Sequence, residues 1–487
     1  MALRLPNPAA PWLPAAGRVR VPRQAAWLLL LVALGLAVGL APPLYTGAAV
    51  VGLIGLTAVV IRPEIGLYLL TLSVPYQNLR GADPTKVQLT ATEPLVAVTL
   101  AAFFLHQLVL QRGSWRRGPM IVPLVVFLGS VVLSVFKATD QLQSLKELVK
   151  WLELLAVYWM AINTLKKPRQ VATLLTFAVL AALSEAAIGA LQVVLRKGPP
   201  EFLIGGFIMR AYGTFGQPNP LAGYLNLTLP IVLAVGLFAS SRRLRWACWL
   251  SAAAIGLVMV TTLSRGAWLG FAVSLAVMGI AMNRRVRFWV WFGLLCASFV
   301  LLATVLGIIP FGLTARLLAA FGLSGVSLDN VTAQNFSAVQ RLAFWQAGWN
   351  MFRGNLILGV GIGNYITAYP TYAAPGWSQV LGHAHDYYLN VAAECGLLGL
   401  SGYLVFLVSA FRHAARTVRV TLSRPWFGVA VGLLGSLTAI SVHNLVDNMY
   451  VHGIPVLLGL LLATVTVLWQ GAHAPVVAAA QQAIGPG

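Results

Sequence analysis

The sequence predicts an all-α polytopic membrane protein, and three observations carry that reading. Of 487 residues, 59% are hydrophobic and 9% charged, with a mean hydropathy of +0.82. A soluble domain could not hide that much apolar surface from water, whereas a bilayer accommodates it. The apolar residues are gathered into runs of span length, with Lys and Arg largely in the short connections between them. The stretch from about Phe311 to Gly399 then stands apart, because its first part, 311–387, contains no such run. An irregular backbone cannot satisfy its polar groups in hydrocarbon, so a connection of this length must sit in water or at the interface, where long loops commonly carry function.

Taken in order, apolar runs fall near 25–41, 45–61, 65–76, 93–111, 119–136, 149–165, 170–195, 220–240, 246–263, 266–283, 288–310, 388–411, 427–447 and 451–470. A crossing needs roughly 20 residues, so about 12–14 transmembrane helices are expected, the lower count applying if two N-terminal runs do not cross. The run 65–76 is short enough to be re-entrant. The run 25–41 follows Arg18, Arg20 and Arg23 and alone would resemble a signal peptide, but the many runs behind it make it the first span. The expected division is therefore 1–24, an N-terminal tail; 25–310, transmembrane helices; 311–387, a large outer loop with short amphipathic helices; 388–470, C-terminal spans; and 471–487, an Ala- and Gln-rich tail without order.

The formal net charge of +21 would suit nucleic acid if it were gathered on one soluble surface. Instead it is spread over short connections such as Lys166, Lys167 and Arg169, Arg242, Arg243 and Arg245, and Arg284, Arg285 and Arg287. That pattern reads as a topology signal and as contact with anionic lipid, with no nucleic-acid partner. It places both termini in the cytoplasm and the loop 311–387 outside. The three cysteines, Cys248, Cys296 and Cys395, lie within apolar runs, which argues against a disulfide framework or a cysteine metal site.

Four places then put polar groups on the outer side. Arg210 lies in a Gly- and Pro-rich turn that ends in Gln217-Pro218-Asn219-Pro220. Ser264-Arg265-Gly266 interrupts two apolar runs. Around Arg341, the residues Val339, Leu342, Trp345, Trp349 and Phe352 recur at three- and four-residue intervals, as in an amphipathic helix lying in the interface. Finally His383-Ala384-His385-Asp386 precedes an apolar run, with His443, Asn444, Asp447 and His452 at the outer ends of the last two spans. Any one of these arginines could be a snorkelling anchor, and the tryptophans could be belt aromatics. The histidine pair is a weak metal-ligand set, so no metal and no cofactor are expected. Gly359-Val-Gly361-Ile-Gly363-Asn364 lacks the preceding strand of a nucleotide loop.

Together the four places suit an anionic, membrane-associated substrate. The planar fork of Arg matches phosphate oxygens, and two or three converging arginines make a diphosphate clamp. A histidine near its working pKa can take a proton from an attacking hydroxyl. Asp447 could fix a histidine's tautomer.

His385-Asp386, nine residues, then Gly396-Leu-Leu-Gly399 resembles the histidine motif of the O-antigen ligase and O-antigen polymerase (WaaL/Wzy) superfamily. Ser264-Arg265-Gly266, and Arg341 ahead of Trp345, resemble its two arginine sites, and the likeness runs from about Arg210 to Gln470. Ligases of this kind usually carry Asn, Ser or Gln after the histidine, where this chain has Asp386. The resemblance implies a GT-C-type glycosyltransferase of the bacterial inner membrane, inverting and independent of metal and nucleotide sugar. Its donor would be a glycan on polyprenyl (undecaprenyl) diphosphate, with a lipid or a second glycan as acceptor and membrane lipids around it. It implies His385 as general base, Arg265 and Arg341 as diphosphate ligands, Arg210 as a third, and His383 as a group that orients His385 or binds acceptor. Transfer to a lipid or protein acceptor makes a ligase, as in lipopolysaccharide biosynthesis, and transfer to a second lipid-linked glycan makes a polymerase. A lipid-linked oligosaccharide transporter is the alternative of another class, and Glu185 is the clearest ionisable group it could use inside a span.

Overall fold

The computed structural model describes residues 43–78, 92–109, 115–283, 327–332, 335–379, 382–421 and 423–484, with parts of 285–299. The expected N-terminal tail, the span 25–41, most of the span 288–310 and loop residues 311–326 lie outside the described residues. The chain divides into Met1–Ala58, whose described part is the start of helix α1 (Pro43–Ile61), and Val59–Gly487, which holds all the other elements.

The helices of the second unit are α2 (Pro63–Ser73), α3 (Thr92–Val109), α4 (Ile121–Val135), α5 (Gln141–Thr164), α6 (Pro168–Val194), α7 (Pro218–Phe238), α8 (Arg242–Thr261) and α9 (Arg265–Met282). They continue with α10 (Phe336–Gly354), α11 (Tyr365–Tyr372), α12 (Tyr387–Val420), α13 (Arg424–His443) and α14 (Ile454–Ile484). A two-stranded antiparallel hairpin pairs Leu203–Ile204 with Ile208–Met209. Every expected apolar run other than 25–41 and 288–310 coincides with one of these helices. Among the described residues, eight helices are long and apolar enough to cross a membrane, so the chain is an all-α polytopic membrane protein. At 11 residues, α2 is too short to cross alone.

Proline opens α2, α6, α7 and α13 within the first two positions, where its missing N–H costs nothing and its fixed φ suits the first turn. Asp140 caps α5 by accepting from the Gln143 N–H at 3.1 Å, and Ser241 caps α8 by accepting from Leu244 at 3.2 Å. At the centre, α13 packs on α7 and α9 through glycines. A Cβ on Gly432 would lie 2.4 Å from Ile231 Cα, and one on Gly270 would lie 2.5 Å from Ala439 O. Small residues at such contacts bring helix backbones together, which is how apolar helices gain packing in lipid.

Helices α6, α8 and α13 run in one direction. Their first turns supply Ala172, Leu244 and Pro425 to a single cleft. Their last turns meet again at the other end, where Gln192 and Thr262 hold the Arg210 segment and His443 lines a cavity with Arg210. A 20-residue helix is about 30 Å long, so the two ends lie a hydrocarbon thickness apart. The basic stretches 166–169, 242–245 and 424 sit at one end, and Arg210, Arg265 and Arg341 at the other.

Helix α12 breaks at Gly396 (φ 63°, ψ −160°). The chain after α10 packs into the break, and Val360 and Gly361 N–H donate to Ala393 and Glu394 carbonyls at 3.0 and 2.8 Å. Leu397 N–H donates in turn to Leu356 O at 2.8 Å. Backbone away from water must pair in this way. Gly359, Gly361 and Gly363 all have positive φ, and a Cβ on Gly359 would lie 2.3 Å from the Glu394 carbonyl carbon. The three glycines, which superficially resemble a phosphate loop, thus form a buttress between α12, Ala138 and Gln143.

The structure refines one expectation and corrects another. Helix α10 exists, but its buried stripe is Val339, Ala343, Phe344, Ala347 and Met351; Leu342, Trp345 and Phe352 are half-buried and Trp349 is 51% exposed. Close approach to α12 favours the small residues on that face, and the bulky ones stay less buried. The last helix also continues past Gln470 to Ile484, where a tail without order was expected, and its Ala-rich end has high helix propensity.

Gly359→Ala should destabilise the fold by about 3 kcal/mol or more, since it adds strain at positive φ to a backbone clash. Thermal unfolding of the detergent-purified protein, followed by tryptophan fluorescence, measures this against Gly376→Ala, where a Cβ meets open space.

Candidate active site

The site is assembled from five segments at one end of the bundle. The segment carrying Arg210 is pinned to α6. Gln192 Oε1 accepts from the Tyr212 and Gly213 N–H groups at 3.1 and 2.8 Å, and its Nε2 donates to Gly213 O at 2.9 Å. Buried Glu185 accepts from the Thr214 N–H at 2.9 Å and the Thr214 hydroxyl at 2.7 Å. A Cβ on Gly213 would lie 2.2 Å from the Glu185 carboxylate, so glycine is required there. Glu185, the group a transporter reading would use, thereby helps to hold a loop.

Arg210 itself donates through Nε to Thr262 O at 2.8 Å. Leu263, in the left-handed region at φ 52°, reverses the chain between α8 and α9 and makes Arg265 the first residue of α9. Arg341 comes from the second turn of α10. These three arginines, with Asn219, Ser264, Ser337, His443 and Asp447, line one cavity of about 120 Å³. Burial lowers the pKa of Arg210, as do the charges of Arg341 and Arg265, while Asp447 acts against them. Burial also lowers that of Arg341, where Asp447 opposes and Arg265 adds. The cluster therefore carries like charge in a poorly hydrated space, and an added anion would relieve it.

Asp447 is the group that ties the arginines to the histidines. Its Oδ2 accepts from Asn219 Nδ2 at 2.6 Å, and its Oδ1 accepts from the Asn448 N–H at 2.9 Å and lies 3.0 Å from His385 Nδ1. Burial by itself would raise the Asp447 pKa. The hydrogen bond from His385 and the electrostatic attraction of the imidazoles of His385, His383 and His443 outweigh it and hold the carboxyl well below the usual carboxylate range. An ionised Asp447 makes His385 Nδ1 the protonated nitrogen and leaves Nε2 with a free lone pair. The His385 ring stacks on Phe344, at 5.6 Å between centroids, and its side chain stays 19% exposed.

His385 has positive φ (52°), and its backbone is held at both sides. Its N–H donates to His383 Nδ1 at 3.1 Å, and its carbonyl accepts from Trp345 Nε1 at 3.4 Å. Burial first, and then the charge of His385, lowers His383 to about 4, so its ring is neutral at ordinary pH and can accept that bond. Asp386 is the N-cap of α12 and accepts from the Leu389 N–H at 3.1 Å, away from the cavity. Asn and Ser are equally good caps.

The expected residues thus fall into two groups. Arg210, Arg265, Arg341 and Asp447 share the cavity, while His385 reaches it through Asp447, with His383, Trp345 and Asp386 behind it. The imidazole that does line the cavity is His443, with Nε2 3.4 Å from Ser264 Oγ. Asn219 was not singled out from sequence; its place between two prolines at a helix start reads only as capping. His383, His385 and Asp447 offer ligand atoms within 4.8 Å of one another, a spacing open to a cation. As arranged, His385 Nδ1 and Asp447 Oδ1 bond each other, and His383 Nδ1 accepts from the His385 backbone.

Two pH effects on stability follow. The lowered Asp447 pKa adds stability that is full above the ordinary carboxylate range near 4 and is lost as pH falls through the folded value. The lowered His383 pKa makes stability rise with pH between about 4 and the ordinary histidine value of about 6.5. Asp447→Asn should therefore cost about 3 kcal/mol at pH 7, with the gap to the parent protein closing in acid. Unfolding midpoints measured from pH 2 to 8 give both slopes.

Residues 250–404 match a family model, Wzy_C, described as O-antigen ligase. No curated protein matches the chain. The matched stretch contains Arg265, Arg341, His383, His385 and Asp386, while Arg210, Asn219 and Asp447 lie outside it. Over that stretch the chain is similar to the O-antigen ligase family.

Proposed function

We propose that the protein transfers a glycan from a polyprenyl diphosphate carrier to an acceptor hydroxyl at the outer face of the bacterial inner membrane, with both termini and the basic helix ends in the cytoplasm. The reading assigns 311–387 to the large outer loop. The observation that carries it is the convergence of Arg210, Arg265 and Arg341 on one cavity whose only acidic lining residue, Asp447, is hydrogen-bonded to His385. Three guanidinium groups against one carboxylate leave room for a diphosphate.

In this reading His385 Nε2 takes the acceptor hydroxyl proton as the oxygen attacks the anomeric carbon. The bond between that carbon and the phosphate oxygen breaks, and the configuration inverts. Negative charge gathers on the departing polyprenyl diphosphate, where Arg265 and Arg341 stabilise it, with Arg210 as a third ligand. Asp447 keeps His385 in the useful tautomer and stabilises the imidazolium as it forms, the part a carboxylate takes in an Asp-His pair. His383 and Trp345 orient His385 through its backbone, and Asp386 starts the helix behind it. The chemistry assigned to these residues needs no metal and no cofactor. A lipid acceptor gives a ligase, and a second lipid-linked glycan gives a polymerase. The hydrogen bonds from Thr214 to Glu185 favour a loop-holding role for that carboxyl over a transport role.

His443 lines the cavity and is the alternative base, so the test compares the two histidines. Purified protein is given polyprenyl-diphosphate glycan and acceptor, and product is counted by gel or mass. His385→Asn, a substitution that tolerates positive φ, should lower the rate constant about 10²–10⁴-fold, and His443→Asn far less. Arg265→Gln and Arg341→Gln should each cost about 10²–10³-fold. Unchanged transfer by His385→Asn would overturn the assignment of the base. Loss with His443→Asn alone would move the role to His443. A single adduct marks a ligase and a ladder a polymerase.

A further inference from the structure

At the end of the bundle away from the arginine cavity, three cavities ring the first turns of α6. One of about 360 Å³ is lined by apolar side chains of α6, α7, α8 and α13, among them Leu175, Val179, Val235, Leu244 and Trp426. A second of about 330 Å³ lies between α6, α13 and α14, with Val171, Val467 and Leu468 in its wall. Trp426 borders both, so its indole divides two apolar clefts. The third, of about 350 Å³, is polar and lined by Arg62, Glu64, Lys167, Arg169, Gln170 and Thr173.

Charge at this end is one-sided. Lys167, Arg169, Arg242, Arg243 and Arg424 are all exposed, and Glu64 is the one acidic residue lining any of the three cavities. Arg169 lies one helical turn from Ala172, and Arg424 is next to Pro425, both of which line the larger cleft. Lys166 lines the second cleft, and basic residues thus stand within a helical turn of clefts that are apolar inside. Basic pockets between spans, with apolar walls below them, suit the headgroups and chains of anionic lipids. A tryptophan at such a boundary places its ring body among acyl chains and its N–H near headgroups.

We infer that this end of the protein holds one anionic diacyl phospholipid, its phosphate on Arg169 and Arg424 and its two chains in the clefts on either side of Trp426. The site is independent of the donor cavity. Across the bilayer from that cavity it fixes the N-terminal ends of α6 and α13, and the far ends of those helices carry Gln192 and His443. The ligand class follows from the pairing of two chain clefts with basic rims. A free phosphate would use the arginines but leave the clefts unfilled.

The test uses the full-length protein, purified in mild detergent, delipidated, and titrated with dioleoyl phosphatidylglycerol, dioleoyl phosphatidylcholine or inorganic phosphate under native mass spectrometry. Phosphatidylglycerol should bind at least about tenfold more tightly than phosphatidylcholine, and inorganic phosphate should neither bind at comparable concentration nor compete. Arg169→Gln and Arg424→Gln should each weaken phosphatidylglycerol binding roughly fivefold, and the pair about 25-fold, with smaller losses at high salt. Both residues are exposed, and an unchanged unfolding midpoint checks that the variants fold. As a second measurement, phosphatidylglycerol with brominated chains should quench parent fluorescence more than it quenches Trp426→Phe. Equal affinity for the two lipids, or unchanged binding by the folded double variant, would overturn the proposal. So would full competition by inorganic phosphate, or equal quenching of the parent and Trp426→Phe.

Discussion

A single buried carboxylate holds the outer end of this protein together. Asp447 sits among three guanidinium groups and three imidazoles, and its two oxygens are bonded to three parts of the chain: Asn219 at the start of α7, His385 ahead of α12, and its own turn after α13. A lone charge in such a place would be neutralised or expelled, and a lone cluster of arginines would repel itself. Each side makes the other tolerable. The geometry of the site therefore rests on a balance of charge that no segment could achieve alone, and it couples residues far apart in sequence.

Much of the fold could be read from hydropathy, because in lipid the length of an apolar run fixes the length of a helix. The common end for Arg210, Arg265, Arg341 and His385 was also legible, since connections alternate sides and basic clusters mark one of them. What could not be read is what depends on pairing between distant segments. Nothing near Glu185 or Gln192 announces that they hold the turn around Gly213. The glycines at 359, 361 and 363 look like a ligand loop until their Cβ positions are seen to be filled by other backbone. Periodicity finds a helix, but which face turns inward depends on how closely the neighbour approaches.

The two ends of the bundle present contrasting chemistry on shared helices. At the site end α6, α8 and α13 finish in polar contacts that hold a loop, a turn and a histidine. At the other end they open on apolar clefts beneath exposed arginines. Rigid glycine contacts between α7, α9 and α13 join the two, so the polar end is built on packed helices and its loops are pinned to them.

The cap on α12 bears on how chains of this kind are compared. Asp386 is spent on the first turn of a helix and not on the cavity, and other short polar side chains meet that need. The residue that follows the histidine therefore reports how the helix begins. In this chain its identity is accounted for by the cap, without reference to the acceptor.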